Sequence, residues 1–160
     1  ALLPPFSGAS PCYNQATMNP PEPLPFTLTP AEKRAACQGS LPEDVLLGLR
    51  LFNAGAYFGA HEALETAWRA ETGPVRELYR GILQVGVAYY KIQQGKYTGA
   101  CKLFARAQGW LAPFPDVCRG IQVERLRQDA AAAEQELLRL GPQGTALFPT
   151  ALFRPVEYNS

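Results

Sequence analysis

The chain has 160 residues, 47% of them hydrophobic and 18% charged, with a formal net charge of +1 at pH 7. That size and composition suit one globular domain with a core large enough to fold without a staple, and they exclude a disordered chain. The near-neutral balance leaves no electrostatic footprint for nucleic acid or an anionic membrane, and no apolar run approaches the roughly 20 residues of a membrane span.

Residues 1–29 are rich in proline and end in NPPEPLPFTLTP, which predicts an extended arm packed on or leaving the body. The opening ALLPPFSGASP lacks the basic end and long apolar centre of a secretory signal, so a soluble, cytoplasmic protein is expected. Thr29-Pro30-Ala31-Glu32 reads as a capping box with proline at the first helical position, and Ser40-Leu41-Pro42-Glu43 repeats the arrangement. The first helix should end near Gly39. The second should run to about Asn53, with Val45, Leu46, Leu49 and Phe52 on one face.

A third helix is predicted over about 56–71, a fourth from Gly73-Pro74 to Gln94, and a fifth over about 96–112. PFPDVC breaks the pattern, and a last helix runs from about 117 or 121 to 140, closed by Gly141-Pro142. Residues 142–160 form a tail, and no run reads as strand. The expected class is all-α: a compact array of about five to six helices over 30–141, containing two helical-hairpin units.

Those units come from an echo at a spacing of forty residues. Gly55-Ala56-Tyr57-Phe58-Gly59-Ala60 matches Gly95-Lys96-Tyr97-Thr98-Gly99-Ala100, and the match continues at Leu64 with Phe104 and at Ala67 with Ala107. Each copy reads as helix, glycine turn and helix. A stable solenoid needs about three copies, so two suggest a bundle.

Cys12, Cys37, Cys101 and Cys118 contain no CxxC pair, and buried free thiols are the expectation. Zinc would need closely spaced ligands or more histidines than the single one present, so no metal and no cofactor are expected.

That histidine lies in YFGAHEALETAW. Phe58, His61, Leu64, Glu65 and Trp68 share one helical face by their spacing, so His61 and Glu65 are expected to point toward the core, with Glu62 turned to solvent. The equivalent positions in the second copy are Cys101 and Ala105, so the hairpin itself does not require a polar pair. A satisfied structural hydrogen bond and a functional pair both stay open. On the fourth helix Leu78, Ile82, Val85, Tyr89 and Ile92 form an apolar stripe, widened by Tyr79, Leu83 and Val87, which marks it as the central helix. Glu77, Arg80, Gln84 and Lys91 leave a narrow polar strip. Arg80 and Gln84 could face His61 and Glu65 across a cleft and orient an anionic or peptide-like ligand.

HEALE also resembles the HExxH zinc helix with its second ligand changed to Glu65, leaving Glu62 in the general-base position. No second histidine completes that set. Arg119, Arg125, Arg127 and Arg139 alternate with Glu124, Asp129, Glu134 and Glu136, a pattern expected of a solvated face.

FNAGAYFGAHEALETAW followed by RGILQVGVAYYKIQQGKYTGACKLF resembles domain-of-unknown-function family 309, with its H-x-x-x-E-x-x-W helix and its G-hydrophobic-hydrophobic-Q helix. The resemblance covers about 45–140 and implies a small all-α protein without an established activity. His61, Glu65 and Trp68 match the first motif, Gly81 and Gln84 the second, and Gly99 and Ala100 follow. Lys91 departs from the histidine that many relatives carry, which weakens any two-histidine metal site.

The expected function is a helical binding module with a polar cleft between the third and fourth helices, built from His61, Glu65, Trp68, Arg80 and Gln84. Its partner would be a small anionic or peptide-like ligand or another protein, with a homodimer also open. The alternative is a metal-dependent or acid–base hydrolase using the HExxE helix.

Overall fold

The computed structural model describes residues 27–159, and the proline-rich arm expected at the N-terminus lies almost wholly outside them, as does Cys12. The first described helix, α1 (Pro30–Cys37), starts as its sequence dictates: the Thr29 hydroxyl accepts a hydrogen bond from Glu32 N at 3.1 Å. The second capping box does not form. Pro42 is the N-cap of α2 (Glu43–Asn53), and it has no side chain able to bond the first turn.

Next come α3 (Tyr57–Ala70), α4 (Arg76–Gln93) and α5 (Tyr97–Leu111). The turns before α3 and α5 have the same build: Gly55 and Gly95 take φ of +79° and +73°, where a side chain would be strained, and Ala56 N and Lys96 N each bond a carbonyl five residues back at 2.9 Å. Helix α4 is central, packing on both α3 and α5, and it buries Leu78, Tyr79, Ile82, Val85, Ala88, Tyr89 and Ile92. The fold is all-α, as expected.

The break at PFPDVC holds one feature that the sequence did not suggest. Val117–Cys118 (β1) and Ile121–Gln122 (β2) pair as a minimal antiparallel hairpin around Arg119-Gly120, both with positive φ. Helix α6 (Val123–Gly144) follows, broken at Gly141, whose φ of +69° is non-helical, before helical bonding resumes. The segment after α6 is fastened at three places. Asn53 Nδ2 donates to Val156 O at 2.9 Å and Val156 N donates back to Asn53 Oδ1 at 2.8 Å. Arg154 pairs with Asp129 at 3.1 Å, and Tyr158 bridges to Ile121.

Two expectations are corrected. Cys37 and Cys118 are not free thiols: they form a disulfide across a sequence separation of 81 residues. Spacing alone could not pair them, because the unexpected hairpin is what carries Cys118 to the end of α1. In the chain-entropy description, closing a loop of that length stabilises the fold by about 4.5 kcal/mol. Cys101 is buried, as expected. Nor is the arginine-rich last segment simply a solvated face. Asp129 and Glu134 are buried, Arg125 and Arg154 neutralise the first, and Gln108 Nε2 donates to the second at 2.7 Å. Arg127 donates to the carbonyls of Leu111 and Phe114, tying α6 to the end of α5.

No helix among the described residues is long and apolar enough to cross a membrane.

Candidate functional site

Helix α3 buries Tyr57, Ala60, Ala63, Leu64 and Ala67. The small alanines let α2 and α4 approach closely, so the buried stripe is centred on them and not on the larger side chains. Phe58 is therefore 61% exposed, and His61 and Glu65 are about one-third exposed at the edge of the packed face. The expectation that this pair points into the core is thus corrected. His61 Nε2 stands 3.5 Å from Glu65 Oε2, while Arg69 Nη2 holds the other carboxylate oxygen at 2.7 Å. The Phe58 ring lies 6.3 Å from His61 and 6.4 Å from Tyr90. This is a half-solvated aromatic and charged rim.

One turn further along α3, Trp68 meets α4. The Arg80 guanidinium carbon lies over the Trp68 ring, 4.3 Å from its centroid, and over the Trp110 ring at 4.1 Å. Arg76 covers Trp68 as well, at 4.7 Å, and its Nε donates to the Trp68 carbonyl at 3.3 Å. Cation–π contacts of this kind contribute about 0.5–1 kcal/mol when exposed and more when desolvated. Arg80 Nε also stands 3.1 Å from Glu77 Oε2, a close ionic contact without the alignment of a hydrogen bond. The arginine is thereby held in one orientation by three neighbours.

Trp68 Nε1 and Gln84 Oε1 are buried atoms without a hydrogen-bond partner, and Glu77 Oε2, also buried, has only its ionic contact with Arg80. A buried polar atom left unsatisfied costs about 1–3 kcal/mol, so the Trp68 and Gln84 atoms are not neutral for the fold. The predicted residues thus fall into two groups, His61–Glu65–Arg69 at the rim and Trp68–Arg80–Glu77 in the seam. Gln84 follows Arg80 by one helical turn.

Trp110 is the residue that sequence reasoning missed. The forty-residue echo pairs Trp68 with Gln108, so Trp110 sits two positions out of register and nothing in the pattern singles it out. Gly81 is what allows the contact: a Cβ there would come within 2.7 Å of Leu111 and 3.4 Å of Trp110, so only a bare backbone lets α5 lie this close.

Two hollows of about 270 and 320 Å³ lie elsewhere, both lined in part by Arg119, and none of the five predicted residues lines them. Among the described residues no three His, Cys, Asp or Glu side chains gather closely enough to hold a metal ion. Glu62, the base that a metal hydrolase would need, is exposed.

Residues 45–103 match the model of a family described as Domain of unknown function (DUF309). This segment is similar to the DUF309 family. It spans α2 to the first half of α5, which is shorter at its end than the resemblance read from the motifs, and it contains His61, Glu65, Trp68, Arg80 and Gln84 but not Trp110. A stretch of 77 residues is 27% identical to an uncharacterized protein of Aquifex aeolicus (strain VF5), covering 48% of this chain and 23% of that protein. The chain therefore spans under a quarter of the length of that relative. No solved structure matches. Trp110, the hairpin and α6 lie beyond the DUF309 segment, so the second tryptophan of the stack is supplied from outside the matched region.

Proposed function

We propose that the chain is a binding module whose recognition surface is the α3–α4 seam, and that the ligand is a peptide-like molecule carrying a carboxylate. The observation that carries this reading is Arg80 stacked over Trp68 and Trp110, with the Trp68 indole N–H and the Gln84 amide oxygen buried without hydrogen-bond partners. A guanidinium fixed in orientation suits the planar fork of a carboxylate, because the ordering cost is met before the ligand arrives. The Gln84 amide and the Trp68 indole N–H have the complementary donor and acceptor character for a peptide group. His61, Glu65 and Arg69 form a charged rim that would discriminate among flanking side chains.

The chain has two tryptophans and both belong to the stack, so its tryptophan fluorescence, excited selectively over tyrosine, reports on this site. Titration with a mixed pool of N-acetylated tetrapeptides ending in a free carboxylate should give a saturable change in emission. The same pool ending in a carboxamide should bind at least tenfold more weakly. Equal responses to acid and amide, or no saturation with either, would remove Arg80 as the recognition element and the proposal with it.

A further inference from the structure

The Cys37–Cys118 disulfide joins a short, lightly buried helix to a hairpin whose Cys118 and Ile121 are part of the core. Helix α1 has 8 residues and buries only Ala36. The element it touches most is β1, the strand that carries Cys118. Isolated helices of this length are marginal in water, so α1 depends on its attachments.

Those attachments converge on the residue beside the disulfide. Arg119 N donates to Cys37 O at 3.3 Å, Arg119 Nε to Ala36 O at 2.9 Å, and Arg119 Nη1 to Ser40 O at 3.5 Å and to the Tyr79 hydroxyl at 3.2 Å. Arg119 holds a left-handed φ of +49°, which is unusual for a residue with a side chain. The end of α1 and the turn after it therefore cross over Arg119 as a strap. Residues of the strap line two hollows that share Arg119. One is lined by Ala35, Ala36, Val75 and Arg119, and the other by Gly39, Ser40, Leu41 and Arg119.

We infer that residues 30–40 are a redox-released strap: the Cys37–Cys118 disulfide latches it over Arg119 and Tyr79, and reduction lifts it, uncovering both side chains. A dithiol supplies two electrons and two protons, the sulfur–sulfur bond breaks to give two thiols, and the dithiol is itself oxidised to a disulfide. With the latch open, the strap keeps the Arg119 hydrogen bonds, the burial of Ala36 and the packing of the Cys37 side chain on the edge of the core. The remaining core, from α2 to α6, does not pass through α1. The cytoplasmic setting expected from the sequence would keep the thiols reduced and the strap lifted, whereas an oxidising compartment would close it.

The strap carries its own reporter, because Lys33 and Arg34 are trypsin sites within α1. The full chain, oxidised and then reduced with dithiothreitol, is digested with trypsin at low ratio and followed by mass spectrometry, alongside its circular dichroism. Reduction should speed cleavage after Lys33 and Arg34 at least tenfold, with cleavage after Arg80 and Arg106 unchanged and most of the helical signal kept. The Cys37→Ser/Cys118→Ser double variant should behave as the reduced chain under oxidising conditions. Unchanged cleavage on reduction would show that α1 is held without the disulfide. Loss of the helical signal with general digestion would make the bond a staple of the whole fold. Either result overturns the strap.

Discussion

The guanidinium of Arg80 lies 4.1 Å from the centroid of the Trp110 ring, a contact between α4 and α5 beside Gly81, where a Cβ would meet both Leu111 and Trp110. The same guanidinium covers Trp68 on α3, so one side chain links three helices at the edge of the core. Replacing it by Met, which keeps the alkyl length, should lower the free energy of unfolding in urea by about 1–2 kcal/mol and alter tryptophan emission. Arg80→Lys should recover only part of that loss, since an ammonium cannot stack as a planar group. Full recovery by Lys would mean that charge alone, and not the stack, is what the site uses.

The His61–Glu65 pair should matter little for stability. Both side chains are about one-third exposed, and such i,i+4 pairs contribute under about 0.5 kcal/mol. Urea unfolding of His61→Ala should therefore differ from the parent chain by less than that amount. A loss above about 1.5 kcal/mol would indicate a buried network at this position.

Gly81→Ala and Gly99→Ala should have opposite signs. A Cβ at position 81 meets Leu111 at 2.7 Å in the packed α4–α5 interface, which should cost about 1–3 kcal/mol. At position 99 the nearest atom is Lys91 Cδ at 3.6 Å, an ordinary contact with a flexible side chain, so the gain in helix propensity of up to about 1 kcal/mol should show. Thermal unfolding of the two variants in parallel compares them directly.

Stability should decline at alkaline pH. Burial pushes the phenols of Tyr57, Tyr79 and Tyr89 above their ordinary value of 10.0, helped at Tyr89 by the charge of Asp129 and opposed at Tyr79 by Arg119. The folded chain then keeps protons that the unfolded chain releases. The resulting contribution to stability is complete below about pH 10 and is lost as pH rises through the higher folded values. Absorbance at 295 nm should show these phenols ionising together with unfolding. Their titration near pH 10 in a chain that stays folded would contradict their burial.

The helices were legible because their signals are local: Thr29 before Pro30, glycines at 55 and 95, and an apolar run on α4 broad enough to mark the central helix. The facing of α3 was not. Its large residues at 58 and 68 suggested one stripe, but helix approach is set by the small ones at 60, 63 and 67, which periodicity does not weigh heavily. The same limit applies to the site. Trp68, Arg80 and Gln84 could be named from their positions on two adjacent helices, while Trp110 arrives from α5 through the space left by Gly81. The disulfide and Arg119 depend on a hairpin of two-residue strands, too short to produce an alternating pattern.

The central claim, that the seam around Arg80 receives a carboxylate, is tested most directly by the two indole N–H signals in a proton–nitrogen correlation spectrum of the full chain. Adding the free-acid tetrapeptide pool should move the Trp68 Nε1 signal progressively to saturation, because that N–H is buried without a partner and gains one. The carboxamide pool should move it far less, and the acid should leave the signal unmoved in Arg80→Met. Indole signals that stay in place at millimolar acid, in a chain whose remaining spectrum is that of the folded protein, would contradict the account.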